Sequence, residues 1–161
     1  MKYFLSLGSN LGDKGKNLSL ALTLLEKKGV KIIRISSIYK TQPVDSPSHP
    51  WFLNQVIEII AQTDPISLLK LLKSIENQMG RKHLQTKAPR IIDLDILLAG
   101  RTIIHSKELE IPHPRLQKRN FVLVPLMEIS PNTVHPILKK TIKNLWQKSK
   151  DCSEVARLKL Q

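Results

Sequence analysis

The chain is poor in cysteine and aromatic residues, and it has no long hydrophobic run. Its one cysteine, Cys152, cannot form an internal disulfide, which fits a reducing cytoplasm. No apolar run approaches the length that spans a bilayer, and the stretch after Met1 is too short for a signal peptide. With 161 residues and 41% hydrophobic content, we expect one globular domain over 1–161, with a peripheral tail from about residue 149.

Acidic residues are also scarce, at 13 against 26 lysines and arginines, which gives a net charge of +13. Residues 1–80 carry 10 basic and 6 acidic residues, an excess of +4, and residues 81–161 carry 16 and 7, an excess of +9. Such a surplus suits an anionic partner: nucleotide phosphates, nucleic acid or an acidic membrane. A solvated, lysine-rich surface is the alternative for the dispersed lysines.

The hydrophobic pattern predicts strands and helices in the order βαββαβ. This is the order of the ferredoxin-like fold, an α+β class with an antiparallel sheet and helices packed on one face, here with added C-terminal elements. The predicted core strands cover 2–7, 30–41, 51–62 and 91–98, and the helices run from Asp13 to Gly29 and from Asp64 to Gly80. The added elements are a short strand at 102–104, a helix or buried segment at 121–130 and a surface helix at 138–148.

Two aspartates interrupt the otherwise apolar strand in the stretch "PRIIDLDILLAG". Alternate residues of a strand share a face, so Asp93 and Asp95 lie on one face together. Like charges at such positions raise each other's pKa unless a cation lies between them. Pairing with arginine is one resolution, and binding of Mg²⁺, which takes carboxylate oxygens and substrate phosphates, is the other. The opposite face is predicted to carry Ile92, Leu94, Ile96 and Leu98.

A second polar anomaly lies on the third predicted strand. Phe52 and Asn54 share a face there, and a buried Asn54 without partners would cost on the order of 1–3 kcal/mol. "GSNLGD" fits no phosphate-binding glycine motif, so Gly8 is interpreted as turn chemistry. His113, between two prolines, is expected to be rigid and exposed, and His135 is expected at the surface. Cations flank the aspartates on both sides: Arg81, Lys82, Lys87, Arg90, Arg115, Lys118 and Arg119.

Five motifs follow one another in an order that resembles a known enzyme family. They are "LGSNLGD", "FLNQV", "IENQMGR", "APRIIDLDILL" and "IPHPRLQKRNFVLVPL", and they extend from about residue 3 to residue 130. The chain is similar to the 6-hydroxymethyl-7,8-dihydropterin pyrophosphokinases. The resemblance implies transfer of pyrophosphate from ATP to the hydroxymethyl group of a reduced pterin, with release of AMP, in folate biosynthesis. It also implies two Mg²⁺ ions that act with ATP.

The resemblance also assigns roles to individual residues. The chain departs from the family pattern at His83 and at Lys87-Ala88, in a loop that is predicted to close over a nucleotide. The metal ligands would be Asp93 and Asp95, and the catalytic arginines would be Arg81 and Arg90. The pterin site would comprise Thr41, Gln42, Val44, Phe52, Asn54, Asp95 and Phe121. The ATP contacts would be Glu76, Arg90, Ile96, His113 and Arg119.

Two other functions compete with this interpretation. A basic, ferredoxin-like nucleic-acid module would need exposed aromatic residues for base stacking, but the chain has three Phe, two Trp and two Tyr, and the face in question carries aspartates. A different two-metal enzyme, a nuclease or cyclase, would account for Asp93 and Asp95 but not for Phe52 with Asn54. We therefore expect ATP and a reduced pterin as partners, no nucleic acid or membrane, and a cytoplasmic monomer.

Overall fold

The computed structural model describes residues 1–43, 48–80 and 88–159. The helices are α1 (Lys14–Lys27), α2 (Pro65–Gln78), α3 (Asn120–Ile129) and α4 (Ile142–Gln147). The strands are β1 (Lys2–Ser9), β2 (Lys31–Ile35), β3 (Tyr39–Thr41), β4 (Phe52–Ile60), β5 (Asp93–Leu98), β6 (Ile104–His105), β7 (Glu110–Ile111) and β8 (Val155–Arg157). Among the described residues, no helix has the length and apolar character needed to cross a bilayer.

The main sheet has the strand order β5-β1-β4-β3-β8, and β2 also pairs with β4. All of these pairings are antiparallel, and β6 and β7 pair separately with each other. The α+β, ferredoxin-like class predicted from the sequence is confirmed.

Both core helices begin and end where the sequence predicts. The Asp13 carboxylate accepts a hydrogen bond from the Lys16 amide at 3.2 Å, and Asp64 accepts one from the Ser67 amide at 2.7 Å. These aspartates satisfy amide groups that have no partner within the first turn of a helix.

Two hydrophobic cores lie on opposite faces of the sheet. The first packs α1 and α2 against one face, through residues that include Leu18, Leu25, Leu68, Leu72 and Ile75. The second lies beneath the C-terminal helices, so these added elements cover part of the face that the basic βαββαβ arrangement leaves open. Its members include Phe4, Val56, Leu98, Val122, Leu126 and Leu145.

Two predictions about the strands are wrong in detail. The predicted strand 30–41 is split into β2 and β3, because the Ser36 hydroxyl accepts the Val56 amide proton at 2.9 Å and interrupts the ladder there. In β5 the register with β1 shifts at Leu97, so that Leu98 lies opposite Phe4 and packs in the second core. Leu98 therefore does not share a face with Leu94, as simple alternation predicts.

The C-terminal third also differs from the prediction. The short strand begins at Ile104, and the surface helix is limited to Ile142–Gln147. The segment after residue 149 was expected to be a peripheral tail, yet β8 pairs with β3 as a strand of the main sheet.

His135 is buried rather than at the surface. Its side chain is 4% exposed, and its Nδ1 atom accepts hydrogen bonds from the Ile137 and Leu138 amides at 3.2 and 3.1 Å. Burial lowers the pKa of His135, so the folded protein holds it neutral to a lower pH than the unfolded chain does.

The unfolded chain therefore binds a proton near the ordinary histidine range, while the folded protein binds it only at lower pH. Stability is then lost as the pH falls from 7 toward the folded pKa, by at most about 1.4 kcal/mol per pH unit. We expect His135→Asn, which keeps an acceptor but does not titrate, to flatten the fall in the free energy of unfolding between pH 7 and 5. Urea denaturation followed by circular dichroism measures this.

The matched control is His105→Asn, at an exposed histidine on β6. The fall in the free energy of unfolding is expected to flatten more in His135→Asn than in His105→Asn. Equal slopes for the wild type and His135→Asn would contradict the prediction.

Candidate active site

The antiparallel register aligns one row of residues across the main sheet. Gly8 of β1 lies opposite Asn54 of β4 on one side and opposite Asp93 of β5 on the other. Tyr39 of β3 lies opposite Asn54, and Arg157 of β8 lies opposite Tyr39. Directly opposed residues of antiparallel strands share a face. The same face of the sheet therefore carries Phe52 and Asn54 on one side of Gly8 and Asp93 and Asp95 on the other.

Gly8 leaves room for the Asn54 amide between these two groups. A Cβ atom at this position would lie 2.6 Å from Asn54 Oδ1 and 3.4 Å from the Phe52 ring. Any larger residue would displace the Asn54 amide. The sequence interpretation of Gly8 as turn chemistry is wrong, because Gly8 lies within β1 and its role is to leave space.

Asn54 is held in place by a neighbouring strand. Its side chain is 4% exposed, and its Nδ2 atom donates a hydrogen bond to Thr41 Oγ1 at 2.5 Å. Thr41 is 1% exposed and lies opposite Phe52 in the register of β3 and β4. The face shared by Phe52 and Asn54 is thus confirmed, and Thr41 supplies a partner that the buried amide requires.

Asp93 and Asp95 are half-buried, and Leu94 between them points into the first core. The Leu94 amide donates a hydrogen bond to Glu76 Oε2 at 2.8 Å. Glu76 lies on α2 and is 3% exposed. Its carboxylate therefore connects α2 to the backbone between the two aspartates and fixes their position.

Arg90 forms the arginine pair that the sequence left open as one resolution for the aspartates. Its Nη1 atom lies 2.9 Å from Asp93 Oδ2. The backbone of Arg90 is bound to Asn10, since the Arg90 amide donates to Asn10 Oδ1 at 2.6 Å and its carbonyl accepts from the Asn10 amide at 3.0 Å. Asn10 is 1% exposed. Sequence reasoning assigned no such role to Asn10, which attaches the backbone of Arg90 to the end of β1.

His113 is half-buried, not exposed as predicted. Burial, followed by the positive charge of Arg119, lowers the pKa of His113 to about 4, although Asp93 acts in the opposite direction. The imidazole is therefore neutral at pH 7. Its Nδ1 atom accepts a hydrogen bond from the Arg115 amide at 3.1 Å, so the ring proton lies on Nε2, where it is available as a donor.

The start of α3 carries two further predicted residues. Phe121 lies in the first turn and packs against the second core, and the Arg119 guanidinium lies 5.4 Å from the centre of its ring. Beside them opens a cavity of about 850 Å³ with a basic lining that includes Gln42, Arg115, Lys118, Arg119, Lys148, Lys150 and Asp151.

The remaining predicted residues are placed differently or not described. Ile96 is 4% exposed and lies in the first core, on the face opposite Asp93 and Asp95, so its contact with ATP stays a prediction. Val44 and Arg81 lie outside the described residues. Within the described ranges, no group of three or more His, Cys, Asp or Glu side chains is arranged to hold a metal ion.

Solved structures with this fold include one of a larger protein. The chain resembles the crystal structure of wild-type Plasmodium falciparum HPPK-DHPS with STZ-DHP, with a TM-score of 0.73 and 20% identity. The match covers 91% of this chain and 43% of that one. At this identity the likeness shows the fold.

Sequence relatives are more similar. The chain is 42% identical over 146 residues to the folic acid synthesis protein fol1 of Schizosaccharomyces pombe. That match covers 90% of this chain but 20% of the fungal protein, so the chain spans about a fifth of this relative's length.

Two bacterial relatives have lengths closer to that of the chain. Both are named 2-amino-4-hydroxy-6-hydroxymethyldihydropteridine pyrophosphokinase. The protein of Bacillus subtilis is 43% identical, with 78% of this chain and 76% of the relative covered, and that of Aquifex aeolicus is 39% identical, with 87% of each covered. Residues 4–131 match the family profile described as 7,8-dihydro-6-hydroxymethylpterin-pyrophosphokinase (HPPK), and the chain belongs to this family.

Proposed function

We propose that the protein transfers pyrophosphate from ATP to the hydroxymethyl group of 6-hydroxymethyl-7,8-dihydropterin. The products are AMP and the pterin diphosphate, in folate biosynthesis. Family membership supports the reaction class. The observation that carries the assignment to this site is the row Asp93–Gly8–Asn54, because it places a carboxylate and a buried amide on one face of the sheet, on either side of a glycine that leaves room for the amide.

The pterin binds at the Asn54 side of this row. A flat, nitrogen-rich ring needs aromatic faces for stacking and polar groups at its edge. Asn54 supplies an amide whose orientation is set by Thr41, which fits recognition of the edge of the ring. The rings of Phe52 and Phe121 provide the stacking faces. The other proposed pterin contacts are Gln42, Val44 and Asp95.

The metal ions bind at Asp93 and Asp95. The fit rests on chemistry: carboxylates are hard oxygen ligands, and Mg²⁺ commonly takes one or two of them with substrate phosphates and water completing the shell. Two such ions supply charge neutralisation for the phosphates of ATP. The backbone between the two ligands is held by Glu76, so the carboxylates are positioned before the substrate arrives.

Cationic and neutral donors act on the ATP phosphates beside the proposed metal ligands. Arg90 lies beside Asp93, Arg119 lies at the start of α3, and His113 presents a neutral N–H group. Such donors stabilise the charge that develops on the transferring group and on the departing AMP. Arg81, Glu76 and Ile96 are the other proposed contributors to catalysis or ATP binding. The monomeric state and cytoplasmic location stay predictions.

The first test measures AMP formation from ATP and Mg²⁺ with and without 6-hydroxymethyl-7,8-dihydropterin. We expect AMP only when the pterin is present. Asp95→Asn removes the charge of one metal ligand and is expected to reduce kcat at least about 100-fold. Glu108→Gln, at an exposed carboxylate just before β7, is expected to retain wild-type activity.

Nucleotide cleavage that does not depend on the pterin would overturn the proposed function and favour a different two-metal enzyme. Full activity of Asp95→Asn would overturn the metal role of this residue.

A second test addresses the space at Gly8. In Gly8→Ala the new Cβ would meet Asn54 Oδ1, so the amide must move away from its bonded position. We expect the KM for the pterin to rise on the order of tenfold, from the loss of about one hydrogen bond. The KM for ATP is expected to stay within a factor of about two.

Gly15→Ala is the matched control, because a Cβ there meets its nearest neighbour at 4.0 Å, in the first turn of α1. Initial rates at varied pterin and varied ATP separate the two Michaelis constants. An unchanged KM for the pterin in Gly8→Ala would contradict the proposed position of the pterin.

A further inference from the structure

The C-terminal segment, defined here as residues 151–158, lies beyond the part of the chain that matches the family profile, which ends at residue 131. It contains β8 and contacts two separate elements of the candidate site. One is β3, which carries Thr41 and leads to Gln42. The other is the start of α3, which carries Phe121.

Backbone hydrogen bonds join the C-terminal segment to β3. Leu158 donates its amide to the Ile38 carbonyl at 2.8 Å, and Gln42 donates its amide to the Glu154 carbonyl at 3.0 Å. The Glu154 amide in turn donates to Gln42 Oε1 at 3.2 Å. Between these points Thr41 lies opposite Val155. The residues that support Asn54 are thus held from their outer side by this segment.

Asp151 joins the same segment to the start of α3. Its Oδ2 atom accepts a hydrogen bond from the Asn120 amide at 2.8 Å, and its carbonyl accepts one from Asn120 Nδ2 at 3.0 Å. The other carboxylate oxygen accepts from the Ser153 amide at 2.9 Å. Asp151 therefore acts as an N-cap contributed from a distant part of the chain, directly before Phe121.

The other end of α3 is attached to the same region independently. The Glu128 carboxylate accepts hydrogen bonds from the Ser37 amide at 3.0 Å and from the Tyr39 hydroxyl at 2.6 Å. Loss of the C-terminal segment would therefore leave the end of α3 at Glu128 attached and release the end at Phe121.

We propose that the C-terminal segment is a positioning element of the pterin site. It holds the Thr41–Gln42 backbone and the first turn of α3 in a fixed relation, and it thereby sets the position of Phe121 relative to Asn54. Asp151 is the positioning residue on the α3 side. This inference rests on the proposed function, because it assigns the pterin to these two elements.

Two proline substitutions in β8 distinguish the loss of a hydrogen bond to β3 from other effects of a proline in this strand. Along an antiparallel edge strand, alternate residues direct their amide groups toward the partner. The backbone groups of Glu154 and Leu158 bond to β3. By alternation those of Ala156 also face β3, and those of Val155 point away from it. Ala156→Pro therefore removes an amide that pairs with β3, whereas Val155→Pro removes one that points away from it.

We expect Ala156→Pro to raise the KM for the pterin on the order of fivefold to tenfold, while kcat and the KM for ATP change less than about twofold. Val155→Pro is expected to behave as the wild type. Hydrogen exchange of the amides at 39–42 and 120–122 is expected to be faster in Ala156→Pro than in Val155→Pro. If the wild type is active but the two variants have equal KM values for the pterin, this inference is overturned while the proposed function stands.

Asp151→Ala provides a second, milder variant in case Ala156→Pro does not fold. Its control is Asp64→Ala, which removes a carboxylate cap from α2. A higher pterin KM in Asp151→Ala but not in Asp64→Ala supports the inference, and equal KM values overturn it. Absence of pterin-dependent AMP from the wild type is a separate outcome, since it overturns the proposed function and this inference with it.

Discussion

The register of β1 with its two neighbours is the constraint on which the candidate site depends. Because β1 is central, a shift of one residue against either β4 or β5 would turn Asn54 or the aspartates toward the opposite face. The register is specified by the first core, where Leu5, Leu7 and Ile57 pack under α1 and α2. The packing of the first core on one face of the sheet thus positions Asn54 and the two aspartates on the other face.

Buried polar side chains then fix the backbone around this face. Glu76 binds the amide between the two aspartates, Asn10 binds both backbone groups of Arg90, and Thr41 binds the Asn54 amide. A buried polar group is costly unless it is paired, so each pair favours one arrangement over its alternatives. The groups proposed to bind substrate are therefore held by surrounding partners, of which Asn10 has no proposed contact with either substrate.

What could be predicted from the sequence was mostly local. Alternation along a strand correctly paired Phe52 with Asn54 and Asp93 with Asp95, because it needs no knowledge of distant residues. Contacts across long separations could not be predicted: Asn10 and Arg90 are 80 residues apart, and Asn120 and Asp151 are 31 apart. The same limit explains why β8 was expected to be a tail, since three residues carry too little pattern to indicate a strand without the partner strand. The histidines were misplaced for a related reason, as burial depends on the packing of the whole chain.

The contact between Glu76 and the Leu94 amide also has a consequence for association between molecules. β5 is an edge strand of the main sheet, and an apolar edge strand is a ready template for strand addition by another chain. On this edge the Leu94 amide is taken by Glu76, and the Leu97 carbonyl accepts the His113 amide at 2.9 Å. With these two groups already paired, an incoming strand would meet an interrupted row of hydrogen-bonding groups. The apolar character that the core requires of β5 therefore lies at a sheet edge that is partly closed to strand addition.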